Sequence, residues 1–179
     1  MIALYIILGL IVALLLIAAV MPAKYIVQKE VVINKPSADV YAKIADFNHY
    51  RSWNPWQKSE PSAKYQITGQ AASIGHKYNW EGKKIGTGSL TVKTLNPHKN
   101  IELDLEFIKP WKSKANDSWK FEDLKNGSTK VIWHNTGPLP FGFARLMGPV
   151  ITKNLSHQFE QGLSSLKEMC ENTIRDGQN

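Results

Sequence analysis

The chain has 179 residues, a formal net charge of +7 and one cysteine, Cys170. All 22 basic and 15 acidic side chains follow residue 23, so an uncharged apolar segment precedes one domain's length of ordinary soluble composition. These counts exclude a disordered chain, a multidomain enzyme, a polytopic membrane protein and a coiled coil, and a lone cysteine excludes a disulfide framework or a cysteine-based zinc site.

Within residues 1–23 only Gly9 and Pro22 fall outside the apolar set. As a helix the segment would span roughly 34 Å, enough for one bilayer crossing, and Pro22 would stop it. A cleaved signal peptide wants a basic start, a shorter apolar run and a small-residue cleavage site. The segment is charge-free and long, and Ala18-Ala19-Val20 is a poor cleavage site. The expectation is a single-pass transmembrane anchor over 1–23 and one domain over 24–179. Lys24, Lys29 and Lys35 follow the span, which favours the cytoplasmic side for the domain.

Tyr25 to Asn34 alternates around Val27, Val31 and Ile33 and predicts a strand. Ser37 is the expected N-cap of a helix carrying Val40, Tyr41, Ile44 and Phe47 on one face. A short helix or turn follows over 48–52, and Trp53-Asn54-Pro55-Trp56 reads as a loop whose two indoles plug one end of the domain. Asp46 reads as a turn or capping residue at a helix end.

From there to about Gly137, turn residues recur at short spacing and separate alternating runs. Tyr78 and Trp80 share a parity, as do Leu90 and Val92. Leu103, Leu105 and Phe107 alternate with Glu102, Asp104 and Glu106; Trp119, Phe121, Val131 and Trp133 continue the pattern. This predicts about six antiparallel strands with one wet and one dry face, and Asn126-Gly127 signals a two-residue hairpin. A long amphipathic helix then carries Leu155, Phe159, Leu163 and Leu166 on one stripe. The fold class is α+β: a curved antiparallel sheet of about seven strands wrapped on a long C-terminal helix, bent at Gly82, Gly86 and Gly88.

The run Val31-Val32-Ile33-Asn34-Lys35-Pro36 leading into Val40-Tyr41-Ala42-Lys43-Ile44-Ala45-Asp46-Phe47 resembles the START-like (SRPBCC) superfamily. Trp53-Asn54-Pro55-Trp56, Tyr78-Asn79-Trp80-Glu81-Gly82 and the closing Gly162-Leu163-Ser164-Ser165-Leu166-Lys167 are similar to its bacterial polyketide cyclase/dehydrase-like branch. The match covers about residues 26–170. The resemblance implies a helix-grip fold with an internal hydrophobic pocket; it does not imply cyclase activity, because fold is poor evidence for chemistry.

The inward parity supplies a candidate pocket wall: Tyr78, Trp80, Leu90, Val92, Leu103, Leu105, Phe107, Trp119, Phe121 and Trp133, with Leu155, Phe159 and Leu163 from the helix. The competing expectation is that six tryptophans fill the interior. His76 and Asp117 are the candidate polar groups of the pocket. Asp117 shares the parity of Trp119, but a strand end turning it to solvent is the favoured reading. Phe141 and Phe143, in a Gly/Pro-broken apolar segment before the long helix, form a candidate lip over the pocket mouth that touches the bilayer. No metal-ligand spacing, cofactor fingerprint or catalytic constellation is visible. The lysines are dispersed and no stacking motif accompanies them, which argues against nucleic acid and for an anionic membrane surface beside the anchor.

The leading expectation is a membrane-anchored binder of a hydrophobic small molecule such as a lipid, quinone or aromatic metabolite. Its rivals are a polyketide cyclase/dehydratase-like enzyme, for which His76, Asp117, Tyr78 and His134 are the available polar groups, and a ligand-free interaction module. No protein partner is named by the sequence.

Overall fold

A computed structural model describes residues 1–172; the final seven residues of the expected 24–179 domain lie outside the described residues. Its first element, α1 (Ile2–Val20), is long and apolar enough to cross a membrane, a test that a signal sequence also passes. Only Ala18 in it is buried.

The sheet comprises β1 (Lys24–Ile33), β2 (Lys64–Thr68), β3 (Lys77–Glu81), β4 (Thr87–Asn96), β5 (Asn100–Lys109), β6 (Ser113–Asp123) and β7 (Thr129–Pro138). Its order is β1-β7-β6-β5-β4-β3-β2, antiparallel throughout. Between β1 and β2 lie α2 (Ser37–Ala45), α3 (Tyr50–Trp53) and α4 (Pro55–Ser59); α5 (Phe143–Leu146) and α6 (Gly148–Asn172) follow β7. This is the helix-grip arrangement, with α6 running alongside β1. Lys29 pairs with Glu160, Lys167 donates to the Val32 carbonyl, and the Asn34 amide donates to Glu171.

Curvature comes from two register shifts between β4 and β5, at Thr87/Gly88 and Val92/Thr94. At Gly88 a Cβ would run into the Glu106 carbonyl and the Trp80 ring, so the close approach of two strands and an indole requires glycine there.

Three local expectations change. Ser37 opens α2 rather than capping it: Pro36 occupies the cap position and no side chain bonds the free amides. The Trp53–Trp56 stretch is not a loop. Asn54 accepts a hydrogen bond from the Trp56 amide at 2.9 Å and Pro55 takes the first position of α4, so the motif joins two short helices. The Asn126-Gly127 connection spans residues 124–128 rather than two residues. Asp123 and Asn126 each accept from the amide two residues on, and the left-handed conformations fall on Lys125 and Gly127.

Candidate ligand-binding site

The inner face of the sheet divides at the level of Asp117. Beyond it, away from α1, the interior is solid. Trp119 stacks on Trp133 with ring centroids 4.3 Å apart, and Trp133 stacks on Phe159 of α6 at 3.8 Å. Trp53 stands edge-on to both indoles, at 5.5 and 5.9 Å, and donates its Nε1–H to the Lys43 carbonyl. Trp53 is thus the plug that the sequence suggests, and Trp56 closes on Trp133 and Phe159 from the side. Val92, Leu103, Phe121 and Leu163 are buried in the same cluster, as is Leu90, which sits opposite Leu105 on the α1 side of Asp117. These members of the expected pocket wall touch one another, so they are core. Flat rings stack efficiently, and these pack directly on one another.

Toward α1 the same face opens. Ile101 and Leu103 are buried, but Leu105 and Phe107, next on the same side of β5, are partly exposed. Trp80 of β3 stands 5.7 Å from Phe107 and is also partly exposed, as is Leu155 across from them on α6. Tyr78 is buried below Trp80, stacked on it and on Tyr65. Partly exposed apolar side chains therefore cluster at the end of the grip from which α1 departs, above the aromatic stack.

The polar groups below these side chains come from neighbouring strands in one register row: Leu103 faces Asp117, Asp117 faces Asn135, and Asn135 faces Val27. Asp117 points inward and is buried, against the favoured expectation that it turns to solvent. β6 begins at Ser113, so Asp117 lies well inside the strand rather than at its end, and parity holds. Its carboxylate accepts the Trp133 Nε1–H at 2.9 and 3.0 Å and the Asn135 amide at 3.0 Å. Asn135 in turn accepts the Tyr25 hydroxyl at 2.9 Å. Burial pushes the Asp117 carboxyl up to about 7, opposed by its hydrogen bonds. Burial, with the Asp117 charge added, pushes the Tyr25 hydroxyl up to about 12. Tyr25 and Asn135 were missed in the sequence, although each shares its strand's inward parity. Gly137 makes room for Tyr25, whose ring would meet a Cβ there at 2.6 Å.

His76 does not join this group. Its Nε2 accepts the Phe47 amide at 3.1 Å, its Nδ1 faces the Thr68 carbonyl at 3.2 Å, and its ring stacks on Phe47. It pins the β2–β3 connection to the end of α2. Asp46 forms the expected turn, accepting from the Asn48 amide and side chain. His134 faces outward in an open hollow of about 720 Å³ on the convex face, with Gln28, Ser118 and Lys120. The four polar groups considered for catalysis are thus not brought together. A second unforeseen residue is Glu60, whose carboxylate accepts the amides of Lys83, Lys84 and Ile85 at 2.8–3.0 Å. Those bonds, the Ile85 one foremost, hold it below the usual carboxylate range and clamp the β3–β4 turn.

Phe141 and Phe143 are exposed, and their segment is tied to the end of α1. The Leu139 amide donates to the Ala23 carbonyl at 2.7 Å, and Arg145 donates to the Leu139 and Ala18 carbonyls.

A curved seven-stranded sheet gripping a long C-terminal helix defines a class of protein, and the comparisons specify it. The family model described as polyketide cyclase / dehydrase and lipid transport matches residues 25–171, and the chain belongs to that family. Similar solved structures include the Zhui aromatase/cyclase from a Streptomyces species, at 16% identity and TM-score 0.64, covering 87% of this chain and 99% of that one. A Thermobifida fusca protein is 15% identical with TM-score 0.62, covering 82% and 93%. A Chromobacterium violaceum protein is 17% identical with TM-score 0.60, covering 84% and 99%. At these identities the likeness is one of fold. Comparison with curated proteins gives no significant match.

Proposed function

We propose that the protein is a membrane-anchored binder of a hydrophobic small molecule that enters at the partly exposed apolar surface beside α1. In this reading α1 spans the bilayer and the domain sits on the side of Lys24, Lys29 and Lys35. The observation that carries it is the fall in burial along one face, from Ile101 and Leu103 to Leu105 and Phe107, with Trp80 and Leu155 likewise left partly wet. Such a surface gains roughly 25 cal/mol for each Å² that a guest covers. The Tyr25–Asn135–Asp117 row below it offers a hydroxyl and an amide to orient a polar end. Lipid, quinone and aromatic metabolite all fit this chemistry, and the family description includes lipid transport.

Catalysis by the Asp117 carboxyl is a weaker reading, because indole and amide N–H groups already occupy both of its oxygens. The test is titration of the full-length protein in detergent with decylubiquinone and with a lysophospholipid, following indole emission, alongside mass spectrometry of co-purified small molecules. A saturable change that Leu105→Arg abolishes is expected. No saturable response and no co-purified molecule would overturn the proposal.

A further inference from the structure

The strand registers place several separate turns at one end of the sheet. Lys24 pairs with Pro138, Asn116 with Thr136, Phe107 with Ser113 and Thr87 with Lys109. The start of β1, the β3–β4 turn, the β5–β6 tip and the β7–α6 connection therefore share that end. The chain arrives there from α1 through Met21, Pro22 and Ala23 alone, a link of at most about 10 Å.

This end also collects the exposed aromatic rings. Outside α1, every exposed Trp or Phe among the described residues is found here: Trp111 at the β5–β6 tip, 79% exposed, Phe143 at 74% and Phe141 at 58%. Three strand spacings, about 15 Å, separate β5 from β1, so the tip that carries Trp111 is remote from the base of α1, whereas α5, which carries Phe143, contacts α1. Between and around these rings, Lys24, Lys83, Lys109 and Lys112 are exposed and form no ion pair among the described residues. The nearby carboxylates are largely engaged: Glu60 holds three backbone amides and Glu106 pairs with Lys114, leaving Glu81. An open hollow of about 430 Å³ beside the tip is lined by Phe107, Ile108 and Lys112.

Resting on the reading that α1 spans the bilayer, we propose that this end of the sheet docks on an anionic lipid surface, with Trp111 seated among the headgroups at a second contact remote from the anchor. The rings are dispersed among lysines rather than gathered into one apolar patch, which suits a bilayer interface, where aromatic rings and cations each find a partner, better than a protein hot spot. The short link holds the whole strand end against the membrane. The partly exposed Trp80, Leu105, Phe107 and Leu155 then face lipid rather than water.

The test uses full-length protein in vesicles of phosphatidylcholine, with and without phosphatidylglycerol. A bimane label is placed at Trp111→Cys and, as a control at the far end of the sheet, at Leu124→Cys; native Cys170 is buried. Nitroxide-labelled lipid should quench the label at 111 about two-fold or more in phosphatidylglycerol vesicles, less without that lipid, and not at 124. The double change Lys109→Glu and Lys112→Glu should remove the difference. Protein that survives an alkaline wash of the vesicles but keeps label 111 in water overturns the docking alone. Protein lost in that wash overturns both the docking and the anchor. Protection at 111 in native membranes but not in protein-free vesicles identifies a protein partner instead and overturns the lipid assignment.

Discussion

The two halves of the grip are built from the same alternating strands and the same kinds of side chain, yet they do opposite things. In the far half, Trp53, Trp119, Trp133 and Phe159 satisfy one another. In the near half, Trp80, Leu105 and Leu155 pack against that core yet stay partly exposed, as does Phe107. The difference lies in what covers them: α2, α3 and α4 lid the far half, whereas the near half has the start of α6, hairpin tips and the α4–β2 connection that Glu60 ties to the β3–β4 turn. Apolar side chains at inward positions are thus not by themselves core, and their coverage decides whether they stabilise the fold or remain available to a guest.

The sharpest way to break this comparison is Trp133→Ala. It removes the middle ring of the stack and an indole donor to buried Asp117, and should cost about 3–5 kcal/mol. Leu105→Ala in the near half should cost about 1 kcal/mol or less. Urea unfolding of the two variants in the same detergent checks the ratio, and equal losses would erase the distinction.

Next in size is a pH effect at the boundary. Folded Asp117 keeps its proton up to about pH 7, whereas an unfolded aspartate releases it near the ordinary value of 3.8. The stability it contributes is therefore fully present below the unfolded pKa and is lost as pH rises through about 7, at most about 4 kcal/mol. Unfolding free energy measured from pH 4 to pH 8 should fall more steeply in the native protein than in Asp117→Asn. Parallel curves would show that the carboxyl is ionised throughout.

The smallest expected effect concerns the rim. Glu60→Gln weakens the clamp on the Lys83–Ile85 amides without touching the stack. Amide exchange at 83–85 should quicken about ten-fold while the far strands keep their protection. A global increase would mean that the two halves unfold as one.

Much of this architecture was legible in the chain. Parity put Trp119, Trp133 and Leu103 on the inner face, and turn residues separated the strands. Parity also pointed Asp117 inward, and the error lay in trusting a strand boundary over the alternation. Asn135 and Tyr25 were missed because a polar residue at an inward position carries no hydropathy signal. Glu60 lies 23 residues from the first amide it holds, so no local pattern reveals it.

By itself the sequence determined the uncharged N-terminal helix, the alternation of seven strands, the apolar stripe of α6 and the family resemblance, because each is written in short-range periodicity. Tertiary structure alone decided which inward rings fill space and which stay open, which turns share the α1 end of the sheet, and which carboxylates find amide partners. Those outcomes depend on register and coverage between segments far apart in the chain, and burial is a property of the neighbours that folding supplies.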